Sequence, residues 1–175
     1  RQFVPETQLK IKFVRCKITG NGTFYDLLPI LSDMQEIYWC GTGLNVHGKL
    51  PLNIWDAVPY LQRLTLKTFS TSEKIETCPF PKFIPPQLRA LDLMEIDTSF
   101  ATTLFTLLTT NTTLQSLTLR NVDMTQPSVS EAYKKCSESN TELRELLLER
   151  CNIVEEHVLI ALNRNHYESI QFYNN

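Results

Sequence analysis

Seven short stretches of the chain share one alternation, in which two apolar residues flank a variable one. The pairs are Ile11/Phe13, Ile37/Trp39, Leu64/Leu66, Leu91/Leu93, Leu117/Leu119, Leu146/Leu148 and Ile170/Phe172. A period of two places both members on the same face of a strand. The first members are 26, 27, 27, 26, 29 and 24 residues apart, a near-constant spacing that predicts one structural unit per interval.

Five of the six intervals carry apolar residues at helical spacing, which predicts a helix on each return path. These stripes are Phe24, Leu27, Leu28, Leu31; Leu50, Ile54, Ala57, Val58; Phe100, Leu104, Leu107, Leu108; Val129, Ala132, Tyr133, Cys136; and Val154, Val158, Ala161, Leu162. Thr23 offers cap chemistry before the first, Pro51 suits the start of the second, and Ser128 with Glu131 reads as a capping box. The third interval differs. Pro79, Pro81, Pro85 and Pro86 forbid a regular helix, so an extended crossing is expected, with Phe80, Phe83 and Ile84 filling the core.

Composition narrows the class. The 175 residues are of single-domain size, and 42% hydrophobic with 21% charged residues is enough to fill a core. A formal net charge of −2 supplies no global attraction for nucleic acid or an anionic membrane. No apolar run approaches a membrane span. The chain begins at Arg1 and ends just past its last strand, so a processed or excised piece of a longer protein is expected.

A search for chemistry finds no catalytic or cofactor motif. His47, His157 and His166 have no second ligand at metal spacing. Gly41-Thr42-Gly43 is a turn and lacks the helix and lysine of a phosphate loop. The expectation is a protein that is not an enzyme and carries no cofactor or metal. The five cysteines, Cys16, Cys40, Cys78, Cys136 and Cys151, include no C-x-x-C pair, which favours a reducing compartment. Sequons at Asn21 and Asn111 point the other way.

The most complete unit is LRELLLERCNI, with Leu143, Leu146, Leu148, Cys151 and Ile153 in the pattern L-x-x-L-x-L-x-x-C-x-I. This resembles the leucine-rich-repeat superfamily, specifically its ribonuclease-inhibitor-like and cysteine-containing, F-box-associated branches. The resemblance covers nearly the whole chain. It implies an α/β solenoid of about seven repeats over residues 1–175, a horseshoe arc with a parallel strand layer on the concave face and mostly helices on the convex face. It also implies that Cys16 and Cys151 are buried free thiols.

Function in such an architecture is expected on the open side of the strand layer, where three rows of side chains can be assigned. They are Lys10, Glu36, Arg63, Ala90, Ser116, Glu145, Ser169; then Lys12, Tyr38, Thr65, Asp92, Thr118, Leu147, Gln171; then Val14, Cys40, Lys67, Met94, Arg120, Glu149, Tyr173. Lys10, Lys12, Arg15, Arg63 and Lys67 gather positive charge towards the N-terminal end, while Tyr38, Met94, Leu147 and Tyr173 are apolar groups expected to face solvent. The expected partner-binding residues are Tyr38, Arg63, Lys67, Asp92, Met94, Arg120, Leu147 and Glu149, whose truncation should leave stability nearly unchanged. The competing surface is a helical face bearing Glu131, Lys134, Lys135 and Glu138.

These features lead to a non-catalytic protein-interaction module, monomeric or part of a hetero-complex, in the cytoplasm or nucleus. One form of it would be the substrate receptor of a ubiquitin ligase. The alternatives are an RNA-binding repeat domain of an export or processing adaptor, and an extracellular or immune-type receptor fragment.

Overall fold

The structure, a computed structural model, describes residues 10–16, 22–45, 50–68, 74–76, 78–163 and 166–175. The sequon at Asn21, His47, and the side chains of Arg15 and Cys16 lie outside the described residues.

The fold is α/β. Seven strands form one sheet: β1 Lys10–Cys16, β2 Glu36–Gly41, β3 Arg63–Lys67, β4 Ala90–Met94, β5 Ser116–Arg120, β6 Glu145–Glu149 and β7 Ser169–Tyr173. Their order in the sheet is their order in sequence, and every neighbouring pair is parallel. The register aligns Ile11, Ile37, Leu64, Leu91, Leu117, Leu146 and Ile170 across all seven. A repeated hydrogen bond locks it. The carbonyls of Gln35, Gln62, Arg89, Gln115 and Arg144 each accept two successive backbone N–H groups from the next unit, at 2.7–3.1 Å.

One sheet face is covered. Ile37, Trp39, Leu64, Leu66, Leu91, Leu93, Leu117, Leu119, Leu146 and Leu148 are buried in a single core cluster with the return segments. The helices α1 Thr98–Leu108, α2 Pro127–Ser139 and α3 Glu155–Leu162 supply its far side in the C-terminal half. Asp97 caps α1 by accepting the Phe100 N–H at 2.7 Å.

The first two returns are tighter than the helical stripes predict, and the second is also shorter. They are 3-10 helices, Phe24–Leu31 and Ile54–Ala57. Pro29 lies inside the first and has no N–H for an α-helical bond, while Pro51 and Pro59 bracket the second. Rings fill the volume instead: centroids run Phe13–Trp39 at 5.1 Å, Trp39–Phe24 at 5.1 Å, Tyr25–Trp55 at 6.3 Å and Trp55–Phe80 at 5.6 Å. Across 78–87 no described residue is helical, as the prolines dictate. That crossing is pinned by the Trp55 indole N–H, which donates to the Pro79 carbonyl at 2.6 Å. Phe80 and Ile84 are buried, but Phe83 is 52% exposed and does not join the core.

Two further expectations fail at helix ends. Ser128 and Glu131 form no capping box, because Pro127 starts α2 and Gln126 is its N-cap, placing Ser128 inside the helix. The stripe of α3 is also rotated. Val154 and Leu162 are exposed and Val158 is half-buried, whereas His157 and Ala161 are buried.

Asparagines close the helix-to-strand turns. Asn111 accepts the N–H groups of Thr113 and Leu114 at 3.1 and 2.8 Å. One unit later, buried Asn140 accepts those of Glu142 and Leu143, both at 2.9 Å. Its amide also donates back to the carbonyls of Leu108 and Asn111 at 2.6 and 3.0 Å, tying two units together. Left-handed residues follow the last four strands: Glu95, Asn121, Arg150 and Asn174, with φ of 60°, 57°, 54° and 52°. Asparagine tolerates that region, but glutamate and arginine carry strain there.

Candidate functional site

The uncovered sheet face carries the three rows in unbroken register. Lys10 pairs with Glu36, then Arg63, Ala90, Ser116, Glu145 and Ser169; the rows through Tyr38 and Lys67 align the same way. Alternation forces this face outward, because the intervening residues of each strand are committed to the core. Two members withdraw from it. Ala90 and Cys40 are each 7% exposed, too small to rise above their neighbours.

Three shallow depressions lie along the first two rows. One of about 310 Å³ spans β1–β3, beside Lys10, Glu36, Tyr38 and Arg63. One of about 60 Å³ spans β3–β5 over Ala90, Asp92 and Ser116. The third, about 190 Å³, spans β5–β7 beside Thr118, Glu145, Leu147 and Ser169. Small side chains in the middle of the sheet, Thr65, Ala90, Ser116 and Thr118, make this a trough. The larger third row, with Lys67, Met94, Arg120 and Glu149, runs alongside it.

Of the expected binding residues, Tyr38, Arg63, Asp92 and Leu147 line the trough, and Lys67, Met94, Arg120 and Glu149 stand in the third row. Arg63 is exposed; the other seven are half-buried. Five of them fall in two clusters. Arg120 Nη1 lies 2.5 Å from Asp92 and its Nε 2.9 Å from Glu149, so three strands are joined by one guanidinium. At the other end the Tyr38 ring has Lys12 Nζ at 4.8 Å and Lys67 Nζ at 4.9 Å from its centroid. Glu36 organises the remaining charge there, 2.9 Å from Lys10 and 3.8 Å from Arg63. Glu36 was legible in the first row, between Lys10 and Arg63, as the counter-ion to both.

Comparison of the chain with family models, curated proteins and solved structures returns no match. The geometry therefore carries the functional argument alone.

Off this face, His157, Cys136 and Cys151 are buried as packing elements. His157 Nδ1 accepts the Val154 N–H at 3.3 Å, which leaves its Nε2–H to donate to Ser130 Oγ at 2.7 Å. Burial holds this ring's pKa below its ordinary value, with Glu156 opposing. Cys151 is fully buried, with its thiol 3.3 Å from the Leu119 carbonyl and 3.4 Å from that of Glu149. Burial pushes Cys151 up to about 11 and Cys136 up to about 12. Such thiols are protonated and poor nucleophiles near neutrality. Among the described residues no group of three or more His, Cys, Asp or Glu could hold a metal ion. Nor is any helix of the described residues long and apolar enough to cross a membrane.

On the helical side, Glu131, Lys134, Lys135 and Glu138 are all exposed, and Lys135 pairs with Glu131 at 3.3 Å. That pairing spans one helical turn of a surface of mixed charge.

Proposed function

We propose that this chain is a leucine-rich-repeat solenoid acting as a non-catalytic protein-interaction module, which binds a protein partner along its open strand face. The observation that carries the reading is the trough. Seven strands in sequence order present three in-register rows, and nothing in the chain's described residues covers them. A packed core on one side and a side-chain-lined open face on the other is the arrangement expected of a repeat that builds a binding surface. The reading also fits the recurring 24–29-residue interval and the cysteine at the turn after β6. It places the protein in the cytoplasm or nucleus, in keeping with thiols buried as packing groups.

Partner recognition would rest on the half-buried Met94 and Leu147, framed by the polar groups of both clusters. The test is quantitative binding to a partner cross-linked to the intact protein. Met94→Ala and Leu147→Ala should each weaken it by about 1–3 kcal/mol, with charge reversal at Lys134 and Lys135 neutral. Loss only in the Lys134 and Lys135 variants would move the site to the helical face and end this reading.

A further inference from the structure

The charges on the open face are sorted by position. Among the described residues, β1–β3 present Lys10, Lys12, Arg63 and Lys67 against a single carboxylate, Glu36. Further along, β4–β6 present Asp92, Glu145 and Glu149 against a single cation, Arg120. Within the basic end the cations divide again. Lys10 and Arg63 converge on Glu36. Lys12 and Lys67 belong to no ion pair among the described residues, and both ammonium groups stand over one ring, that of Tyr38. Two like charges held 4.8 and 4.9 Å from the centre of one ring repel each other, and the ring quadrupole compensates only part of that cost. An anion beside the ring, within reach of both stems, would relieve it.

We propose that the β1–β3 end of the trough binds an acidic segment of a partner protein, its carboxylates drawn to the Lys12 and Lys67 ammonium groups beside Tyr38. The proposal rests on the protein-binding reading and names the chemistry of the partner at that site. The depression on the Lys12 side of this cluster, about 310 Å³, has room for one or two side chains and is lined in part by the apolar Ile11 and Ile37. An acidic residue with an adjacent apolar one fits both features. Nucleic acid fits less well for two reasons. The Tyr38 ring already has two ammonium groups against it, which a stacked base would have to displace. A phosphate backbone continuing along the trough would meet Asp92 and Glu145. The occupant is thus a short anionic stretch that ends, or changes charge, near β4.

The experiment is fluorescence anisotropy of the intact protein with labelled deca-glutamate and with a glutamate peptide of the same length containing one central leucine. Deca-lysine and a single-stranded RNA decamer serve as comparators. The acidic peptides should bind, the leucine-containing one more tightly, with affinity falling as salt rises. Lys12→Glu with Lys67→Glu should lower that affinity about tenfold or more, because two attractions become repulsions. Lys134→Glu with Lys135→Glu should not change it. Circular dichroism checks that each double variant folds, and Lys12→Gln with Lys67→Gln gives a milder replacement if reversal does not. Equal binding by the Lys12/Lys67 variants, or tighter binding of RNA than of either acidic peptide, overturns the proposal. If Met94→Ala and Leu147→Ala still weaken a cross-linked partner while the Lys12/Lys67 variants do not, the acidic-segment inference falls alone and the interaction module stands.

Discussion

Arg120 reaches across the sheet to Asp92 on β4 with one arm of its guanidinium, at 2.5 Å, while its Nε meets Glu149 on β6 at 2.9 Å. All three side chains are about 30% exposed, so water screens the network only in part. The pair Asp92 and Arg120 comes from adjacent rows, brought together by the length of the arginine stem.

This link alters the consequence of mutating the open face. Arg120→Ala leaves two neighbouring carboxylates without their shared cation and should cost about 1–2 kcal/mol of stability. That outcome would differ from the expectation that truncating the strip residues leaves stability nearly unchanged. Met94→Ala, in the same row, should lower stability less. Urea titrations of the two variants compare them directly, and equal midpoints would mean that the triad contributes nothing.

Asn140 uses all four of its side-chain hydrogen-bonding positions while buried. Asn140→Ala removes four hydrogen bonds at once, two of them to buried groups at Leu108 and Leu143, so unfolding free energy should fall by about 2–4 kcal/mol. Asn140→Asp keeps the two acceptor bonds but turns a carboxylate towards the Leu108 and Asn111 carbonyls, and should be comparably damaging at neutral pH. A midpoint for Asn140→Asp close to that of the unaltered chain would refute this account.

His157 makes stability depend on pH. Its folded pKa is held below the unfolded value of about 6.5, so the unfolded chain binds more protons wherever the two differ. The contribution is therefore fully present above about pH 6.5 and is lost as pH falls towards the folded pKa. Protonation of Nδ1 would also oppose the Val154 N–H that now donates to it. Denaturation midpoints measured from about pH 8 down to about pH 5 should fall more steeply for the unaltered chain than for His157→Gln. Parallel curves would place the pH dependence elsewhere.

Arg150 is exposed and sits at φ 54°, a region that costs a residue with a Cβ about 1–2 kcal/mol. Arg150→Gly removes that strain but adds unfolded-state entropy, for a net gain of about 0.5–1 kcal/mol. Asn121→Ala, at φ 57°, should destabilise, because it introduces strain and also removes the 2.6 Å bond to Glu95. Thermal melts of both should move in opposite directions.

Strands, rows and register were legible in the chain itself. A period-two alternation and a recurring interval are local properties, and seven copies of them leave one parallel arrangement in which every apolar pair faces the same side of the sheet. The loss of helix across 78–87 was equally plain, since four prolines act through their own backbone. What the sequence left open were contacts between units. Whether Phe83 turns inward depends on how Trp55 anchors the crossing beside it. His157 became a core residue because Ser130 and Tyr133 on α2 meet it with a hydroxyl and a ring face. The two charge clusters likewise arise only when strands 24–29 residues apart stand side by side, letting a lysine or arginine stem reach over a neighbouring row. Alternation decides which way a side chain points, but its partner is whatever the packed neighbours place within the reach of its own stem.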